Sequence, residues 1–96
     1  MNLRDLEYLV ALAETGHFGR AAQRCHVSQP TLSAQLRKLE EFLGVALVER
    51  RPRRVALTQA GAAVVERARR MLQDAEDIRG LARACQDPLS GPLKVG

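Results

Sequence analysis

Residues 25–40 read CHVSQPTLSAQLRKLE, and the change of character at Ser28 decides the fold. Beyond it, Leu32, Leu36, Leu39 and Leu43 recur at 4-3-4 spacing, which places them on one stripe of a helix. Ser28 suits the N-cap, and Pro30 sits in the first turn, where backbone amides have no intrahelical acceptor to lose. Gly44 suits a left-handed stop. The pattern predicts a helix over 29–43 whose first turn is neutral. Acids ordinarily favour a helix start because of the dipole. Here the first acids are Glu40 and Glu41, while the cations are held back to Arg37 and Lys38. A helix tip without acids is suited to approaching a polyanion.

Towards the N-terminus, Phe18, Ala21, Ala22 and Cys25 form the apolar face of a short helix near 18–25. Its two alanines allow a neighbouring helix to come close. Residues 26–28 form the turn between the two helices, with Val27 placed to plug the corner. A first helix over about 3–14 begins with Asn2 as N-cap and Asp5 three residues on, and stops at Gly16. Leu3, Leu6, Leu9, Val10, Leu12 and Ala13 supply its apolar positions.

Towards the C-terminus the period changes. VALVERRPRRVALT places β-branched residues around a charged centre with a proline, which reads as a short hairpin. Its strands fall near 46–50 and 54–57 and its tip at 51–53, with Val48, Val55 and Leu57 facing the core. Thr58 then caps a long helix that runs to about residue 86, stopped by Asp87 and Pro88. Val64, Ala68, Met71, Ala75, Ile78, Ala82 and Cys85 alternate at 4-3 spacing along it, a heptad seam. A helix of that length is about 40 Å long and outreaches a small helical domain. The simplest cover for the remaining seam is a second copy of the chain. Residues 87–96 hold two prolines and two glycines before an alternating apolar segment, and read as a hinge into a further domain.

The chain has 96 residues, 46% of them hydrophobic but only 3% aromatic, so the core is aliphatic. No apolar run reaches the roughly 18 residues of a membrane span, and the N-terminus lacks the pattern of a signal peptide. The expected location is the cytoplasm. Cys25 and Cys85 are sixty positions apart, and no Cys or His pair shows ligand spacing, so neither a disulfide framework nor a metal site is expected. No nucleophile–base–acid set or phosphate loop is present, so neither an enzyme nor a cofactor is expected. The net charge is +4, and residues 45–57 alone carry four arginines against Glu49. Such a cluster points to a polyanionic partner.

A short helix, a three-residue turn, a second helix and a basic hairpin make a winged helix-turn-helix, a mainly α fold with a long C-terminal linker helix. On this reading residues 1–57 are the nucleic-acid-binding domain, 58–86 the dimerisation helix and 87–96 the hinge. With about 100° per residue, Ala34 lies opposite the leucine stripe, with Pro30, Arg37, Lys38 and Glu41 around it and Thr31 and Ser33 on its flanks. Gln29 occupies the first turn, where a helix tip meets base edges. Gln bonds bidentately to adenine, Ser pairs with donors or acceptors, and Pro30 and Ala34 can touch a thymine methyl. Thr31 and the free amides suit a phosphate, and Arg37 and Lys38 suit phosphates at the groove edge.

The run FGRAAQRCHVSQPTLSAQLRKLEEFLGVALVER, followed by LTQAG and a long helix, resembles the N-terminal domain of LysR-type transcriptional regulators. The resemblance covers essentially the whole chain and is strongest to peroxide-responsive members. It implies a DNA-binding dimer, paired through the linker helices, with Val64, Ala68, Met71, Ala75, Ile78 and Ala82 at the interface. It further implies tetramers in the full-length proteins and binding to interrupted palindromes in promoter double-stranded DNA. Base contacts are implied for Gln29, Pro30, Ser33 and Ala34, and minor-groove or backbone contacts for the wing arginines Arg50, Arg51, Arg53 and Arg54. A second reading makes the heptad helix the functional surface, with the winged fold as a passive scaffold in a protein-interaction module.

Overall fold

A computed structural model describes residues 1–52 and 54–86. The expected hinge over 87–96 and the side chain of Arg53 lie outside the described residues. The elements run α1 (Leu3–Thr15), α2 (Phe18–Arg24), α3 (Gln29–Leu43), β1 (Val48–Arg50), β2 (Val55–Leu57) and α4 (Gln59–Gln86).

The ends of α1 and α3 follow local chemistry. The Asn2 side chain accepts from the Asp5 amide, and the Ser28 hydroxyl accepts from the Thr31 amide. Gly16 and Gly44 adopt left-handed backbone, and each returns its N–H to a carbonyl in the last helical turn, Leu12 and Glu40 respectively. Thr58 caps α4 in the same way, accepting from the Gly61 amide at 2.9 Å.

The leucine stripe of α3 buries Leu32, Leu36 and Leu39 against Leu9 and Leu12 of α1, with Ala21, Ala22 and Leu47 completing the core. Val27 packs half-buried on this cluster and fills the corner between α2 and α3. The corner is also tied by Arg4, which donates to the Cys25 carbonyl at 2.7 Å and to the Tyr8 hydroxyl at 3.2 Å. The Tyr8 hydrogen bond, more than any charge nearby, raises the Arg4 pKa further above its ordinary value.

The two strands pair antiparallel with Val48 opposite Leu57 and Arg50 opposite Val55, and the hairpin closes with the Arg51 amide donating to Arg54. The strands are three residues each, shorter than the sequence pattern implies, because residues 45–47 are engaged with α3 and α4 instead of with a partner strand. The Val55 amide donates to the Gly16 carbonyl and pins the wing to the α1–α2 corner.

Helix α4 divides into two parts. Its first turns bury Gly61, Val65 and Ala68 against the domain, mostly against α1. Beyond Leu72 every residue is exposed or half-buried, and the helix extends the molecule to 56 Å in its longest dimension. The heptad seam divides with it. Met71, Ile78 and Ala82 are exposed and Ala75 is half-buried, but Ala68, expected to face a partner, is 1% exposed and closed over by its own domain. Val65, off the seam, is a core residue instead, because the first turns of α4 pack against α1. None of the helices in the described residues is long and apolar enough to cross a membrane.

Candidate nucleic-acid interface

The first turn of α3 stands clear of the core. Gln29, Pro30 and Thr31 are exposed, as are Ala34, Arg37 and Lys38 further along, while Ser33 is half-buried on the flank. The Thr31 hydroxyl accepts from the Ser28 hydroxyl at 2.8 Å, so both belong to the cap as well as to the surface. Gln29 reaches back across the corner, with its side-chain oxygen 3.6 Å from where a Cβ on Gly19 would stand.

The wing closes one side of this surface. Gly16 to Gly19, Gln29, Arg51, Pro52, Arg54 and Val55 line a single open cleft between the α1–α2 corner, the tip of α3 and the hairpin. Two wing cations therefore lie across the cleft from the neutral helix tip. Arg51 is also held by Glu49 at 2.9 Å, whereas Arg37, Lys38 and Arg54 make no ion pair among the described residues. No acid lies on α3 before Glu40. The surface is a small uncharged patch edged with cations, the arrangement in which phosphate contacts position and base contacts specify.

Arg50, expected among the wing cations, also has partners within the domain. Strand side chains alternate between faces, so Arg50 lies on the same face of β1 as buried Val48, two residues earlier, at the exposed end of the strand. Its guanidinium lies over the Phe18 ring, 5.7 Å from the centroid, and pairs with Glu40 at 3.3 Å. Phe18 also lines the cleft, so the Arg50 side chain, 28% exposed, is held beside the open face by two partners. The alternation was available in the sequence, but the run of four arginines conceals it.

Cys25 is buried and Cys85 exposed, and the two are free thiols. Burial, as the largest effect, pushes the Cys25 thiol pKa up, although Arg4 and Arg24 oppose it. Among the described residues no cluster of three or more His, Cys, Asp or Glu could hold a metal ion.

The family model for bacterial regulatory helix-turn-helix proteins of the LysR family matches residues 3–62. This chain belongs to the LysR family.

The LysR-family chain is 57% identical over its whole length to a hydrogen peroxide-inducible genes activator of Pectobacterium carotovorum subsp. carotovorum, and covers 32% of that protein. It superposes on a full-length OxyR variant from Pseudomonas aeruginosa with a TM-score of 0.87 and 50% identity, covering 91% of this chain and 30% of the other. It superposes on the CbnR DNA-binding domain, crystallised as a complex with DNA, with a TM-score of 0.83 and 45% identity, covering 91% and 100%. The chain spans about a third of the length of the curated relatives it matches.

Two residues that hold this surface together were not singled out by sequence reasoning. In the sequence Glu40 shows only as the return of negative charge, and Gly61 carries no evident role. The one sequence signal for Gly61 is a glycine in the first turn of a long helix, where a better helix former is expected.

Proposed function

We propose that this chain is the DNA-binding and dimerisation unit of a transcription regulator that recognises an interrupted palindrome in promoter DNA. The observation that carries the reading is the acid-free tip of α3, which shares one open cleft with Arg51 and Arg54 and is followed along the helix by exposed Arg37 and Lys38. In this reading α3 enters the major groove. Gln29, Pro30, Ser33 and Ala34 meet base edges, and Thr31 and the first-turn amides hold a phosphate. Arg37 and Lys38 grip the groove edge, and Arg51, Arg53 and Arg54 reach the adjacent backbone or minor groove. The relatives' names support a full-length protein that answers hydrogen peroxide; we place it in the cytoplasm, with its sensing part in the two thirds of the relatives' length that this chain does not span. No catalytic role and no cofactor is assigned.

Two copies pair through the exposed part of α4, where Met71, Ile78 and Leu81 are 45%, 64% and 54% exposed, with Ala75 and Ala82 beside them and Val64, half-buried against the core, at the edge. The full-length protein assembles further, as a tetramer.

The test is the salt dependence of binding to an inverted-repeat duplex. Five cations per protomer, ten per dimer, give a slope of log K against log salt of about −9. Arg54→Ala flattens the slope by about 2 per dimer and lowers affinity uniformly across sequences. Gln29→Ala instead costs about 1–3 kcal/mol at the base pair it reads and relaxes preference there. A binding curve with no salt slope and no preference over random duplex refutes the reading. A dimer in sedimentation with no gel shift would instead support the protein-interaction module, for which the exposed stripe on α4 is the one favourable observation.

A further inference from the structure

The segment Ala46–Val48 joins three elements. Its amides point to α3: the Glu40 carboxylate accepts from Leu47 N–H at 2.8 Å and Val48 N–H at 3.2 Å. The main-chain carbonyl of the same Glu40 accepts from Gly44 and Val45, so this one residue holds four amides of the α3–β1 connection. The carbonyls of the segment point to α4: Ala46 accepts from the Thr58 hydroxyl at 2.7 Å and Leu47 from the Thr58 amide at 3.0 Å. The other carboxylate oxygen of Glu40 takes Arg50, which reaches across from the wing. The Glu40 side chain is 13% exposed, so these bonds are formed with little competition from water.

We propose that Glu40 is a positioning residue for recognition, which locks α3, the wing and the start of α4 into one rigid body and thereby sets the distance and rotation between the two reading helices of a dimer. The inference rests on the reading of this chain as a DNA-binding dimer. Two α4 helices fix one protomer against the other. Beside the packing of α1 on α4 and on α3, the path from α4 through Ala46–Val48 to α3 then fixes where each reading helix stands, and it is the part held by directional hydrogen bonds. Arg51 and Arg54 occupy the wing on the same path, whereas Gln29 and Ser33 lie at the far end of α3, beyond the reach of the Glu40 carboxylate. Glu40 therefore bears on the spacing of half-sites and not on the bases read within each.

The experiment uses the 96-residue chain, its Glu40→Gln and Glu40→Ala variants, and three duplexes: the preferred inverted repeat, the same repeat with two base pairs inserted between half-sites, and one with a base change inside a half-site. Two base pairs rotate the half-sites by about 70°. The wild type discriminates strongly against the insertion. In Glu40→Ala that discrimination shrinks by about tenfold, the factor that 1.4 kcal/mol represents, while discrimination against the base change stays within about twofold of wild type. Glu40→Gln keeps an oxygen for the Leu47 and Val48 amides but loses the charge that holds Arg50, and falls between the two. It also stands in for the alanine variant if circular dichroism shows that variant to be unfolded.

A variant that is folded and loses affinity equally for all three duplexes overturns the proposal, because that is the signature of a residue that only stabilises the fold. A wild type that binds the repeat and the insertion equally well overturns it too. A wild type that does not bind DNA refutes the functional reading itself, which separates the two failures.

Discussion

Gly61 and Gly80 lie in the same helix, yet alanine at these two positions is expected to act with opposite sign. A Cβ on Gly61 would stand 2.0 Å from the Leu47 carbonyl oxygen and 2.9 Å from its carbon. An ordinary carbon–oxygen contact is about 3.3 Å, so the start of α4 must lift by more than about 1 Å. That movement breaks the 3.0 Å bond from the Thr58 amide to Leu47 and the 2.7 Å bond from the Thr58 hydroxyl to Ala46. Each bond is worth about 1 kcal/mol, and overpacking adds about 1–3 kcal/mol. The gain in helix propensity returns about 1 kcal/mol. The net loss is about 2–4 kcal/mol, which lowers the melting temperature of a domain this size by about 10 °C or more. At Gly80 the nearest neighbour of an added Cβ is the flexible end of Arg83, 3.9 Å away. Gly80→Ala therefore keeps its propensity gain of up to about 1 kcal/mol. Thermal unfolding followed by circular dichroism at one fixed chain concentration compares the three proteins. A Gly61→Ala variant that melts at or above wild type refutes the close contact between α4 and the Leu47 backbone.

Exposed Cys85 reacts with iodoacetamide in the native chain, whereas buried Cys25 reacts only on unfolding, which mass spectrometry of timed samples reads directly. Because burial raises the Cys25 pKa in the folded state, its contribution to stability is full below the ordinary thiol value of 9.0 and is lost as pH climbs through the raised value. Denaturant titrations from pH 8 upward check this sign, and Cys25→Ala removes that part of the alkaline decline. Ile78→Asp, at a position 64% exposed in one chain, shifts sedimentation towards the monomer without lowering helix content, and an unchanged dimer rejects the α4 pairing.

The local half of this structure was legible from the chain alone. Caps at Asn2, Ser28 and Thr58, stops at Gly16 and Gly44, and the 4-3-4 leucines of α3 act over three or four residues. Bonds of that range are written in sequence spacing, so element type and order followed, and so did the acid-free tip at Gln29 to Thr31. What only the tertiary structure decided lies between residues far apart in the chain. Arg50 is held by Phe18 and Glu40, which lie far from it in the chain and meet it only in the folded domain. Ala68 is covered because α1 crosses α4 at that turn, and Gly61 must be bare because the Leu47 backbone rests against it. The sequence determined which residues could cap, stripe and turn, since those are short-range choices. The closed domain decided which cations are held by partners, because contact between distant residues is a property of the fold that spacing does not encode.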